Sequence, residues 1–139
     1  MRGTVLPALM VFAAYFLLLY AGVGFLQDKR FFGSALAMAA LLLFLGAAAL
    51  AVWDGLRRGF GFGAFFGRFL GILCAMEIYD IVFFDWVLLC HSNFFPHFYP
   101  ELKGIVGPQQ FGYNKASHLR HFALYLPASA LAAWVCTLL

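Results

Sequence analysis

Four histidines and four acidic residues are concentrated between residues 77 and 121 of a chain that is otherwise poor in polar side chains. They are His91, His97, His118 and His121, together with Glu77, Asp80, Asp85 and Glu101. Imidazole nitrogens and carboxylate oxygens suit Zn, Fe or Mn better than a thiolate copper site. The chain has three cysteines but no CxxC pair, so neither a zinc ribbon nor a thiol oxidase is predicted. The segment therefore predicts a divalent metal site.

The closest histidine pair, His118 and His121, lies three residues apart at the predicted start of the last helix. Residues at this spacing share one face of a helix. A helix N-terminus disfavours the imidazolium form, so both rings stay neutral and can bind a metal or accept a proton. We expect the metal ligands to come from this pair and from the end of the preceding helix and the loop after it. The expected ligands are Asp85, His91, His97, His118 and His121.

Two further acids, Glu77 and Asp80, lie near the middle of the third predicted helix and are the expected catalytic groups. They share a face at i, i+3, whereas Asp85 lies about 12 Å further along the axis than Glu77 and about 80° around it. Each acid at a bilayer centre costs about 2.5–3.5 kcal/mol, and an interhelical hydrogen bond returns only about 0.6–2 kcal/mol. Because packing does not explain three such acids, we expect Glu77 or Asp80 to act as a base or to orient the metal ligands.

The elements that must position these residues are predicted to be membrane-spanning helices. Of the 139 residues, 65% are hydrophobic and 11% are charged, whereas soluble proteins have about half and about a quarter. Four apolar runs are long enough to cross a hydrocarbon layer of about 30 Å. The sequence thus predicts one all-α transmembrane domain over residues 1–139, an antiparallel four-helix bundle with helices at about 5–26, 33–53, 66–89 and 118–139.

The segment 91–117 is predicted to be a long interfacial loop because it holds three prolines and many aromatic residues. The net charge of +3 is spread along the chain, which excludes a nucleic-acid-binding patch. Lysine and arginine in the short loops favour a multi-pass protein of the cell inner membrane with both termini in the cytoplasm. The loop is then expected on the outer side of the membrane, where it would form a lid over the site.

Small residues mark one face of the third predicted helix. Gly59, Gly63, Gly67 and Gly71 recur every four residues, which is the spacing of a glycine zipper. In lipid, glycines at this spacing allow two helices to approach closely. This face is expected to pack within the chain, against a second copy of the chain, or against a partner membrane subunit.

Three functions are compatible with this pattern. The first is a membrane-embedded metalloenzyme that acts on a lipid-like or amphipathic substrate. The second is a proton- or ion-coupled transporter or channel that uses Glu77 and Asp80, and the third is an accessory subunit of a larger membrane complex. The polar residues cluster at one end of the predicted bundle and leave the first two helices almost wholly apolar. Because this distribution describes a site better than a path, we expect the enzyme.

Overall fold

Most of the chain that the structure describes is helical. A computed structural model places residues 2–98, 100–104 and 110–139, and no strand occurs among them. The elements in chain order are α1 (Arg2–Leu26), α2 (Arg30–Arg57), α3 (Phe62–Tyr79), a π-helix (Asp80–Cys90), α4 (Phe94–Phe98), a 3-10 helix (Pro100–Leu102) and α5 (Lys115–Cys136). The all-helical class predicted from the sequence is therefore confirmed.

The region predicted as a loop, 91–117, contains two short helices and the first turn of a long one. α5 begins at Lys115, three residues before the predicted start. α4 packs against α1, where the rings of Tyr20 and Phe94 meet edge to face with centroids 6.2 Å apart. Tyr99 and residues 105–109, which belong to the predicted lid, lie outside the described residues.

α1 and α2 form a closely packed antiparallel pair because small side chains line their contact. Ala14 of α1 and Ala40 of α2 are completely buried, and Ala47 and Ala51 lie in the same interior. A Cβ atom placed on Gly24 would lie only 3.1 Å from the Cα atom of its neighbour in α2, Gly33. The two backbones therefore approach to a distance that only glycine permits, which is a common way of packing helices in lipid.

α3 packs along α5, and the start of α3 also contacts the end of α2. The ring of Phe65 in α3 is completely buried and contacts Ala133 and Cys136 of α5. The same ring fills the space beside Gly55 of α2, where a Cβ atom would collide with it. α3 is thus fixed at its start by one large side chain between two helices, and its other end is free to approach the start of α5.

Aromatic stacking holds the junction of α3 and the π-helix against α1. The rings of Phe12 and Tyr79 stack with centroids 4.5 Å apart, and those of Phe16 and Phe83 lie 4.9 Å apart. Tyr15 meets Phe84 edge to face at 5.8 Å. Aromatic pairs of these geometries contribute beyond the area that they bury. The π-helix is thereby anchored on one side, which leaves its other side to face α5.

The outer surface is unusually apolar. Phe31 is 89% exposed and Leu119 is 73% exposed, and large hydrophobic side chains are exposed on α1, α2, α3 and α5. By length and composition, Gly3–Gly24 and Arg30–Arg57 are apolar enough to cross a membrane, and only 22% and 17% of their apolar windows are buried inside the molecule. Two of the four predicted spans therefore have the required length and apolar composition, and most of their residues are not buried inside the molecule.

The glycine stripe of α3 faces outward as well. A Cβ atom placed on Gly63, Gly67 or Gly71 would meet nothing within 4 Å in the part of the chain that the structure describes. Gly59 precedes α3 and has a positive φ of 63°, which makes it a turn residue. The prediction that the stripe packs within the chain is therefore wrong, because the close helix contacts involve Gly24 and Gly55 instead. Packing between chains stays a prediction.

Candidate metal centre

The centre of the site is the carboxylate of Glu77, which is only 2% exposed and lies in the last turn of α3. Its Oε1 atom lies 2.7 Å from Nδ1 of His118 and 3.0 Å from Nδ1 of His121. Its Oε2 atom accepts a hydrogen bond from the hydroxyl of Tyr125. The three α5 residues follow the spacing i, i+3, i+7 and therefore share one helix face. One face of α5 is thus directed at a single carboxylate of α3.

This arrangement brings three metal-ligating atoms together. One ligand atom each from Glu77, His118 and His121 lies within 4.8 Å of the others, so the group could hold a metal ion. Tetrahedral Zn at about 2.0–2.1 Å from each ligand needs ligand separations of about 3.3 Å, which is about 0.3 to 0.6 Å more than the separations between Oε1 and the two nitrogens. Two imidazoles and one carboxylate form a donor set of catalytic zinc sites, which keep a position open for water or substrate.

Asp85 lies on the far side of the His118 ring from Glu77. Its Oδ2 atom is 2.8 Å from Nε2 of His118, and its Oδ1 atom accepts a hydrogen bond of 3.5 Å from the side-chain amide of Asn114. Histidine ligands of metals usually donate their second ring N–H to a carboxylate or carbonyl, which fixes the tautomer and the ring orientation. In the tautomer in which Nε2 donates to Asp85, the lone pair of Nδ1 faces Glu77 and is the one that a metal between the two residues would use.

Asp80 is the acid beside the cluster whose carboxylate is free of hydrogen bonds among the described residues. Its Oδ2 atom lies 3.9 Å from Nδ1 of His118, beyond hydrogen-bonding distance, and its side chain is 28% exposed. Its carboxylate makes no hydrogen bond among the described residues. His121 is also accessible, because its side chain is 46% exposed while that of His118 is 11% exposed. The cluster therefore has a buried side at Glu77 and an open side at His121.

The π-helix explains why Asp85 and Glu77 reach the same imidazole. An α-helical period puts Asp85 about 80° away from Glu77, whereas a π-helix with i to i+5 hydrogen bonds turns by only about 80–85° per residue instead of about 100°. Because five of the eight steps between these residues lie in the π-helix, Asp85 returns to within about 20° of the Glu77 direction. The expectation of an adjoining face is therefore wrong, and the change of helix type is the reason.

The two remaining histidines that were predicted as ligands lie elsewhere. His91 follows the π-helix, is exposed, and has its Nδ1 atom 2.7 Å from the backbone carbonyl oxygen of Trp86. His97 is exposed on α4, with its ring 4.8 Å from that of Phe98. The group of ligand atoms around Glu77 includes neither of them, and it includes Glu77 where the sequence suggested Asp85.

Two residues of the site were missed from the sequence, Tyr125 and Asn114. Tyr125 could have been found because it continues the i, i+3, i+7 face that begins with His118. Asn114 immediately precedes α5, where a capping role would be expected, but it makes no side-chain capping bond and contacts Asp85 instead. Only the contact between chain segments 29 residues apart reveals this role.

The acids of the site lack a lysine or arginine partner. Among the described residues, Glu77, Asp80 and Asp85 come within ion-pair distance of histidine only. Arg68, the one arginine within α3, is paired with Asp54 at the other end of the molecule. Three carboxylates and two imidazoles therefore share a site whose negative charge can be balanced by protons or by a metal cation.

An opening of about 240 Å³ leads to this site from the side of α5. It is lined by Asp85 and His118, by Lys115, and by apolar side chains that include Phe111 and Phe122. The opening combines an apolar wall with one cation and the imidazole of the cluster.

Comparison with known proteins gave no match: no family model fits the chain, and neither a curated protein nor a solved structure is significantly similar to it.

Proposed function

We propose that the chain is a metal-dependent membrane enzyme in which Glu77, His118 and His121 hold one divalent ion, Zn, Fe or Mn. The observation that carries the proposal is that one buried carboxylate oxygen lies 2.7 and 3.0 Å from two imidazole nitrogens. The Asp85 carboxylate behind His118 supports it, because such an outer carboxylate is typical of histidine ligands. The proposed set keeps two of the predicted ligands and adds Glu77 as the third.

Each residue around the cluster has a defined part in this proposal. A bound divalent ion acts as a Lewis acid, which polarises a substrate oxygen or lowers the pKa of a bound water. Tyr125 occupies Oε2 of Glu77 and thereby directs Oε1 toward the metal. Asp80 is proposed as the acid–base group, because it is the carboxylate next to the cluster that makes no hydrogen bond in the described chain.

The membrane setting is part of the same proposal. The two apolar helices and the exposed hydrophobic side chains support a multi-pass protein, with α3 plus the π-helix and α5 as the other spans. We propose the cell inner membrane with both termini in the cytoplasm, which puts the site near the outer end of the bundle. The opening beside Lys115, Phe111 and Phe122 supports a lipid-like or amphipathic substrate that enters from the bilayer.

The test is the metal content of detergent-purified protein after growth with Zn, Fe and Mn. We expect about one equivalent of one metal in the wild type and less than about a tenth in the His118→Ala/His121→Ala variant. The matched control is His91→Ala/His97→Ala, which removes the same two side-chain types outside the cluster and should retain the metal. A folded wild type without metal would refute the proposal, and so would equal loss in both variants.

A proton-coupled transporter is the second candidate, and one observation favours it. Both ring nitrogens of His118 lie at hydrogen-bond distance from carboxylates, at 2.7 Å from Glu77 and 2.8 Å from Asp85, as in a proton relay. This function requires proton flux into liposomes that persists when metal is removed by a chelator. Flux that Glu77→Gln abolishes, in protein without metal, would replace the enzyme by the transporter.

A role in a larger assembly is supported by the open glycine stripe. A Cβ atom on Gly63, Gly67 or Gly71 would meet nothing within 4 Å among the described residues, so this face is available to a second copy or to a partner membrane subunit. This contact is compatible with either function, because the stripe shares none of its residues with the Glu77 cluster. A purified chain that retains metal only when a partner copurifies would make the chain an accessory subunit.

A further inference from the structure

An apolar cavity of about 340 Å³, open on one side, lies between the four long helices. Val11 of α1, Phe44 of α2 and Ile72 of α3 belong to its wall, and alanines of α2 and α5 form much of the rest. Ser129 of α5 is the one polar residue of the lining among the described residues. The volume of the cavity is that of about eleven water-sized groups at about 30 Å³ each. This volume corresponds to one hydrocarbon chain and not to two.

The hydroxyl of Ser129 has no hydrogen-bond partner among the described residues, although the residue is completely buried. Its side chain is fully enclosed, and its hydroxyl oxygen makes no hydrogen bond in the part of the chain that the structure describes. A serine inside an apolar helix commonly donates to the backbone carbonyl four residues earlier, and this one does not. A buried hydroxyl without a partner is costly, whereas alanine would fill the same position without that cost. This unpaired hydroxyl belongs to a residue of the cavity wall, where an oxygen of a bound molecule would supply the missing acceptor.

The cavity lies next to the metal cluster. Met76 lines the cavity, and the following residue, Glu77, is the centre of the cluster. On α5, Ser129 lies four residues beyond Tyr125, which is about 6 Å of helix rise from the residue whose hydroxyl contacts Glu77. A chain in the cavity would thus extend from the cluster toward the interior of the bundle.

We propose that this cavity binds the hydrocarbon chain of a single-chain lipid, and that Ser129 donates a hydrogen bond to an oxygen near the polar end of that chain. The apolar wall selects the chain, the volume limits it to one, and the unpaired hydroxyl requires an oxygen acceptor. The polar end then lies about one helical turn from the Glu77 cluster. That this lipid is the substrate rests on the proposed function, whereas its binding does not.

Photo-crosslinking in nanodiscs of dioleoyl phosphatidylcholine tests the site. The first probe is 1-monoacylglycerol with a diazirine in its acyl chain, and the second is a diazirine-bearing octadecene that lacks oxygen. Both are expected to label the wild type saturably, on peptides of α2, α3 or α5. Labelling that rises linearly with probe concentration would refute the cavity as a binding site.

Two substitutions on α2 separate the cavity from general lipid contact. Ala48 lies at the exposed rim of the lining, and Ala49, its neighbour, is equally exposed but lies outside the lining. Ala48→Phe is expected to weaken binding of both probes at least about tenfold, and Ala49→Phe is expected to leave it unchanged. Equal labelling of the two variants would overturn the proposal, and neither variant disturbs a buried position.

Ser129→Ala tests the recognition of oxygen. It is expected to weaken monoacylglycerol binding about three- to tenfold and to leave octadecene binding unchanged, since only the first probe can accept the hydrogen bond. Equal effects on both probes would refute this role of Ser129. All three variants should keep about one metal equivalent. Lipid binding by a wild type that holds no metal would refute the proposed function and leave the lipid site standing.

Discussion

The two ends of α3 both carry buried charge, but they balance it differently. At the start of the helix, Arg68 donates to the backbone carbonyl of Ala51 and to Asp54, each at 2.8 Å, and Arg58 donates to Asp54 at 2.9 Å. At its end, the basic groups within ion-pair distance of Glu77 and its neighbouring acids are imidazoles only, among the described residues. The first end pairs one carboxylate with two permanently charged arginines, whereas the second end has no permanent cation among the described residues.

This difference supports a structural role for the Arg68 cluster and the proposed metal-binding role for the Glu77 cluster. Arg68 is always charged, and its two terminal nitrogens tie α3 to the Ala51 carbonyl and the Asp54 carboxylate of α2. Histidine changes charge near neutral pH and binds metals, so the Glu77 cluster can exchange protons or a cation without losing its side chains. The predictions below test whether stability depends on the first end and metal binding on the second.

The largest effect is expected from Arg68→Met, which removes the more buried of the two arginines that are paired with Asp54. Breaking a buried ion pair is among the most destabilising single changes, so we expect the melting temperature in detergent to fall by roughly 10 °C. The metal content should be unchanged, because Arg68 shares no contact with the Glu77 cluster among the described residues. Loss of metal together with an unchanged melting temperature would reverse the comparison.

Glu77→Gln is expected to have the opposite signature. The amide keeps the size of the side chain but is a poor metal ligand, so affinity for Zn should fall at least about 100-fold. A metal that binds only the folded state stabilises it, so EDTA should lower the melting temperature of the wild type and leave that of the variant unchanged. An EDTA effect that persists in Glu77→Gln would show that the metal lies elsewhere.

The contrast also shows which parts of the site can be predicted from sequence. His118 and His121 were identified because a fixed α-helical period puts them on one face, and Tyr125 obeys the same period. The geometry of Asp85 was not, because the period changes at Asp80, where the chain becomes a π-helix. That change accompanies ring contacts of Tyr79 and Phe83 with α1, which connect segments more than 60 residues apart.

The same reasoning applies to the fold. Apolar runs separated by charged turns predict helices, so the helical class was predictable from local pattern alone. The packing partner of a helix face was not predictable, because glycine spacing is the same on an open stripe and on a contact. Gly24 lies against the backbone of Gly33 in α2, whereas a Cβ atom on Gly67 would meet nothing within 4 Å in the described chain. The local sequence around each glycine does not indicate this difference.

Asp85→Asn is expected to have an intermediate effect, because Asp85 contacts the ligand His118 rather than the metal. Loss of such an outer carboxylate typically weakens metal binding 10–100-fold, and we expect a value in this range for Zn. Asn114→Ala removes only the 3.5 Å contact to Asp85 and should weaken binding a few-fold at most. Competition with a Zn chelator measures both, and an effect of Asn114→Ala larger than that of Asp85→Asn would contradict the order.

The smallest effect is expected from Gly67→Ala, on the face of α3 that belongs to neither cluster. The substitution adds a methyl group where nothing lies within 4 Å and favours the helix by about 0.5–1 kcal/mol, so the melting temperature of the monomer in detergent should rise by about 2–4 °C. Gly24→Ala has the same intrinsic preference but places its methyl 3.1 Å from the backbone of Gly33, so it should lower the melting temperature. Because the two changes are chemically identical, their difference measures only the neighbour. The opposite result would be a lower melting temperature in dilute detergent together with less crosslinking between copies. The stripe would then be a contact between chains that stabilises the protein, and α3 would have a structural face along its whole length.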